Sequence, residues 1–355
     1  MSPDLKCLLR DTSRSFYLTL RVLPGAIRPQ IGLAYLLARA TDTIADTEAV
    51  PLGERLAALD QMRRRILGET NAVLDFARFT GGTSYTSPHP PEEWEGMGTR
   101  VTRPSEGTSA ERALLSRINE AIAALEQFSA ADRQRIREVL GVITGGQELD
   151  LRRFAGASER NIVVLQTAAE LDDYTWRVAG CVGGFWTKMC RAHLFPKARL
   201  DETQFLTDAI RFGKGLQLVN ILRDLPRDLR HGRCYLPADE LRGANLAPAD
   251  LLQPESIAKL RPVYDAWLAR AEAHLSTGWD YTNSLPRNQR RVRLACAWPV
   301  LIGARTLALL RAGNPLDPAR RIKVSRAEVR GILLRSLLAL GSARLWRRQL
   351  DRVRR

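Results

Sequence analysis

Apolar residues recur at helical spacing along nearly all of this 355-residue chain, and alternating β-branched runs are few. That period excludes a sheet-based architecture and predicts an all-α protein. Gly and Pro clusters divide it into helices near 4–20, 28–46, 52–78, 110–127, 130–154, 162–192, 202–226, 255–283, 288–312 and 325–352. Residues 81–110 hold nine glycines and prolines. They read as a long surface loop at about 80–110 within one domain spanning 1–355, because the polar motifs on either side of the loop need each other. No internal repeat of fixed period is present.

Two of these helices carry polar stripes. In the segment from Tyr35 to Asp46, Tyr35, Arg39, Asp42 and Asp46 stand at i, i+4, i+7 and i+11, one face of a helix. Carboxylates one turn apart repel by a few tenths of a kcal/mol, and a divalent cation between them turns that repulsion into a site for hard oxygen ligands. A lone DxxxD reads more simply as a solvated acidic face. The second copy changes the reading: Gln217, Asn220, Asp224 and Asp228 stand at i, i+3, i+7 and i+11 among Leu, Val and Ile. Polar stripes on otherwise apolar helices imply a wet central cavity, since buried polar groups need partners. Two facing carboxylate pairs suit a diphosphate, with Mg²⁺ bridging Asp to phosphate and arginines taking the remaining charge.

Composition narrows the alternatives. Hydrophobic residues make up 45% and charged residues 26%, enough apolar material for a sizeable core. The net charge of +15 lies wholly in residues 286–355, where 18 basic residues face 3 acidic ones. A phosphate site elsewhere must therefore rest on placed arginines, and the basic C-terminal helix expected at about 325–355 needs its own explanation. Its mixture of Leu and Arg, from Gly331 to Arg348, suits either an interfacial helix on an anionic membrane or a final core helix with a basic end. Five scattered cysteines without a CxxC pair argue against a disulfide framework or zinc site and for a reducing cytoplasm. The first residues lack a secretory h-region, and the longest apolar stretch, 294–304, is shorter than a spanning helix. The basic tail also raises a helical nucleic-acid-binding protein; the acidic stripes count against it, and no nucleic-acid partner is expected. His89, His193, His231 and His274 share no ligand spacing.

Ser13-Arg14-Ser15-Phe16, Tyr35 to Asp46, Tyr174 to Gly183, and Gly215 to Pro237 with its NILRD and GRCYLP runs together resemble the squalene and phytoene synthase family, in that family's order and spacing. The resemblance implies an isoprenoid synthase fold. It implies Mg²⁺-diphosphate ligands at Asp42, Asp46, Asp224 and Asp228, with Gln217 and Asn220 lining the second motif. It also implies diphosphate contacts at Ser13, Arg14, Arg39, Arg223 and Arg233, and aromatic hydroxyls near the reacting carbons at Tyr35 and Tyr174. Gly180, Gly183 and Gly184 are expected to allow close helix packing. Two features depart from the pattern: Arg227 replaces a common acid, and Pro226 predicts a kink that moves Asp228 off strict i+4 geometry.

The implied reaction joins two farnesyl diphosphates head to head through presqualene diphosphate, and NADPH then reduces that intermediate to squalene. Without reduction the product is presqualene diphosphate, dehydrosqualene or a phytoene-type hydrocarbon. GRCYLP leans toward the phytoene-like branch, whereas Cys296-Ala-Trp-Pro299 and the Tyr174 region look more like squalene-forming members. No P-loop or Rossmann glycine motif is present, so a nicotinamide cofactor has to bind another way. The expected location is cytoplasmic, with peripheral contact at the inner face of the membrane; oligomeric state is not legible.

Overall fold

The computed structural model describes residues 2–13, 16–80, 108–317, 319 and 322–354; Arg14 and the expected loop at 81–107 lie outside them. The described residues are almost entirely helical, with one pair of two-residue strands. Buried apolar side chains form a continuous cluster from Leu5 to Val353.

Five long helices frame the site. Arg28–Asp46 packs on Ala130–Arg153, which packs on Cys181–His193, which packs on Glu202–Arg230, which packs on Ile257–Ser284. The periodicity explains the first of them. Ile31, Leu33, Leu36, Leu37, Ala40 and Ile44 are buried, which turns the Tyr35–Arg39–Asp42–Asp46 stripe away from the core.

Helix boundaries depart from the sequence expectations where capping chemistry decides. The helix expected at 52–78 stops at Leu67, because Gly68 adopts φ 80° and closes the end with Glu69 N–H donating to Arg64 C=O at 2.9 Å. The helix expected at 162–192 begins only at Ala168. Val163 and Val164 are β-branched and pair in parallel with Arg233 and Cys234, and Thr167 then caps the helix by accepting from Glu170 N–H. The expected 325–352 helix is two, Arg326–Ala339 and Ala343–Arg354.

The helix end expected at Pro226 is corrected. Glu202–Arg230 continues helically through it. Proline lacks the N–H that the Leu222 carbonyl would receive, and the buried Tyr264 hydroxyl donates to that carbonyl at 2.9 Å instead. Asp228 therefore stays one turn beyond Asp224.

Arg290–Ala312 is long and apolar enough to cross a membrane by length and composition, yet 67% of its apolar window is buried within the fold. It packs against Ile257–Ser284, Arg326–Ala339 and Ala343–Arg354 as a core helix.

Candidate active site

Asp42 sits at the centre of the first stripe. Arg39 approaches it at 3.6 Å and is itself clamped by Glu111, while Gln147, from the Ala130–Arg153 helix, donates to Asp42 Oδ1. The Asp42 side chain keeps 45% of its surface open. Desolvation by the surrounding protein, followed by the charge of Asp46, pushes its carboxyl up to about 7, against the pull of Arg39 and Gln147. Asp46 is also raised by burial, with Arg233, Arg39 and Arg227 opposing the shift. Tyr35 donates weakly to the Thr12 carbonyl at 3.4 Å. Neighbouring Ser13 is buried, and its hydroxyl donates to the Leu9 carbonyl within its own helix.

The second stripe lies on Glu202–Arg230. Asp224 accepts both arms of Arg223, at 2.9 and 2.5 Å, and Gln217 accepts from Asn220 at 3.5 Å. Asp228 is pushed up to about 7 by burial and then by Asp224, with Arg233 and Arg227 opposing. Each pair thus holds one carboxyl that its neighbour's charge disfavours.

Between the pairs stands an aromatic and acidic bridge. Tyr174 stacks on Tyr235 at 4.8 Å between centroids and donates to its hydroxyl at 3.4 Å; Tyr235 donates in turn to Asp150 Oδ2 at 3.1 Å. Burial pushes the Tyr174 phenol well above its ordinary value, and the fields of Asp150, Asp228 and Asp42 push in the same direction, so Tyr174 senses both stripes. Asp150 is raised to about 6 by burial, with Arg233 and Tyr235 opposing. Arg233 lies 3.9 Å from Asp150 and 4.0 Å from Glu48, and its charge reaches Asp46 and Asp228 as well.

Local backbone features aim these groups. Gly232, at φ 73°, turns the chain from the Asp228 helix into the strand bearing Arg233; a Cβ there would stand 2.1 Å from Ser158 N. Immediately after Tyr174 the helix widens to a π-turn over Trp176–Gly180. Close approach of Cys181–His193 to Glu202–Arg230 requires Gly183, whose Cβ would lie 2.0 Å from the Ala209 carbonyl. Gly184 does not share that role, since its Cβ would meet only an ordinary 4.0 Å contact.

Arg39, Asp42, Asp46, Tyr174, Arg223, Asp224, Asp228 and Arg233 are tied to one another by these contacts and fields, Gln217 and Asn220 bond to each other beside them, Tyr35 reaches Arg39 through its field, and Ser13 bonds within its own helix. Gln147, Asp150, Glu111 and Tyr235 were not singled out from the sequence. Gln147 and Asp150 had a signal: they stand three apart on an amphipathic helix, a shorter version of the two stripes. Beside Asp46 opens a cavity of about 390 Å³ whose lining includes Glu48, Arg55, Arg230, His231 and Arg233.

Among the described residues no three His, Cys, Asp or Glu side chains converge into an all-protein metal cage. Mg²⁺ does not require one, because it retains waters and takes one or two carboxylates together with substrate phosphates. Two such carboxylate pairs are present, and Gln147 Oε1 is buried without a hydrogen-bond partner. The donor set suits Mg²⁺ arriving with a diphosphate.

Helices enclosing two carboxylate stripes define the class first: this is an isoprenoid synthase fold. The squalene/phytoene synthase family model matches residues 9–328. The squalene synthase of Schizosaccharomyces pombe is 24% identical over 93% of this chain and 64% of its own length, so the chain spans under two thirds of that relative. The presqualene diphosphate synthase of Sinorhizobium fredii is 28% identical over 92% of this chain and 94% of its own. A solved ligand complex of TcSQS superposes with a TM-score of 0.74 at 20% identity, over 99% of this chain and 90% of that one, a likeness of fold. The chain belongs to the squalene/phytoene synthase family, whose members are head-to-head isoprenoid transferases.

Proposed function

We propose that this protein joins two farnesyl diphosphates head to head to presqualene diphosphate and, with NADPH as hydride donor, carries that intermediate to squalene. The observation that carries the reading is the pair of carboxylate stripes, Asp42 with Asp46 and Asp224 with Asp228, in one helical fold with the stacked Tyr174 and Tyr235 hydrogen-bonded to Asp150. Departure of diphosphate leaves an allylic cation, and stabilising the leaving group electrostatically is the main task of such a site. Bound Mg²⁺ supplies Lewis-acid neutralisation of the diphosphate charge.

The chain's own groups do the rest. Asp42 with Asp46, and Asp224 with Asp228, anchor the two ends. Arg39, Arg223 and Arg233 are close enough to exchange their carboxylate partners for phosphate oxygens. The stacked Tyr174 and Tyr235 rings offer π-faces to a cation. Tyr174, Tyr235 and Asp150 form a donor chain that can lead a proton away from the reacting carbons.

NADPH rests on the family resemblance. The only sheet among the described residues is a two-stranded pair, so a dinucleotide has no Rossmann crevice here; the basic cavity beside Asp46 has the charge for a phosphorylated ligand. A second reading, arrest at presqualene diphosphate, is favoured by the near end-to-end match to the Sinorhizobium fredii enzyme.

Mass spectrometry of products from purified protein, farnesyl diphosphate and Mg²⁺, with and without NADPH, separates them. Squalene only with NADPH is expected. Presqualene diphosphate in both arms would establish the second reading, and a product only from geranylgeranyl diphosphate would overturn both.

A further inference from the structure

The Arg326–Ala339 helix is apolar on both sides. Its inner side buries Ile332, Ser336 and Ala339 toward the Arg290–Ala312 helix. Its outer side exposes Leu334 (59%), Leu337 (48%) and Leu338 (72%), and Leu345 at the start of the next helix is 52% exposed. Residues 334, 337 and 338 stand at i, i+3 and i+4, so they form one patch, not scattered exposures. Four of the seven large hydrophobic residues exposed among the described residues fall in these twelve positions.

The helix that follows the leucines is anchored to the core. Trp346 stacks on Trp279 at 5.4 Å, donates to Asn283 at 2.9 Å and lies under Arg293 at 4.9 Å, which pins the Ala343–Arg354 helix to the core. Ala343–Arg354 is thus a docked core helix, and the leucine face belongs mainly to Arg326–Ala339.

Arg326, Arg330, Arg344, Arg347 and Arg348 are exposed on the same two helices as the leucines, Arg330 one turn before Leu334, and none makes an ion pair among the described residues. Glu328, the acid of the first helix, is occupied by Arg305 at 2.9 Å. We propose that this leucine face with its arginine rim docks on an anionic lipid surface, the leucines entering the acyl boundary and the guanidinium groups meeting headgroup phosphates. Pairing with a second copy would oppose one arginine rim to another without an acid between them, so charge selects the bilayer. The inference is independent of which hydrocarbon the site makes.

Vesicle sedimentation tests it with the full chain, using mixed phosphatidylglycerol–phosphatidylcholine vesicles against pure phosphatidylcholine. The protein is expected to pellet with the anionic vesicles and to be released by salt. Partitioning should fall roughly tenfold or more both in a triple Leu334→Ser, Leu337→Ser, Leu338→Ser variant and in an Arg330→Gln, Arg344→Gln, Arg347→Gln variant. The second variant changes only exposed charge, so the test survives misfolding of the first, which circular dichroism would reveal. Failure of the native protein to bind anionic vesicles, or undiminished binding by the arginine variant, overturns the proposal. So does sedimentation equilibrium showing a dimer that the leucine variant abolishes while vesicles are ignored.

Discussion

Asp42 shows how little of a site one residue type specifies. Its spacing to Asp46 is legible in the sequence; its partner Gln147, 105 positions away, is not, because helix packing alone brings them together. Tyr235 was equally hidden, although it lies within a run that carries the family resemblance. Asp42→Asn and Asp228→Asn are each expected to lower turnover by about 10²–10³-fold, the scale for losing one electrostatic contact to a leaving group, measured as diphosphate release under saturating Mg²⁺. Tyr235→Phe breaks the donor chain at its middle while keeping the stack on Tyr174. It should lower kcat with little change in KM, and an unchanged kcat would remove Asp150 from the proton path.

Among elements, the Glu202–Arg230 helix is the most informative. Apolar and polar periodicity makes it visible, yet Pro226 reads as its end, and only the fold supplies the Tyr264 hydroxyl that satisfies Leu222. Tyr264→Phe should therefore cost about 1–3 kcal/mol, the penalty for orphaning a buried carbonyl, read by chemical denaturation; a loss under about 0.5 kcal/mol would leave the helix without need of that donor. Gly183→Ala should be worse tolerated than Gly184→Ala, since only the first meets backbone, at 2.0 Å. Thermal melts of the two variants decide it. Helix existence was legible almost throughout, because apolar period is a property of each segment. The boundaries at Gly68 and Thr167 were missed because local capping and β-branched pairing overrode the period.

At the scale of the whole molecule, the site stores unfavourable charge. Asp42 and Asp228 are raised to about 7 and Asp150 to about 6, each first by burial. Unfolded aspartates titrate near 3.9. Between roughly pH 4 and 7 these three groups thus bind more protons in the folded than in the unfolded chain, and their contribution to stability falls as pH rises through that window. In the presence of a chelator the melting temperature should be higher near pH 5 than near pH 8, and the difference should shrink in an Asp42→Asn, Asp228→Asn variant; a flat profile would contradict the burial of these groups. The central claim is that both carboxylate pairs act in one head-to-head coupling. Its most direct measurement is the yield of C30 product from farnesyl diphosphate as Mg²⁺ is titrated, in the native protein, in Asp42→Asn and in Asp228→Asn. Coupling that rises with Mg²⁺ in the native protein and collapses in both variants is predicted, and full activity surviving the loss of either carboxylate would contradict it.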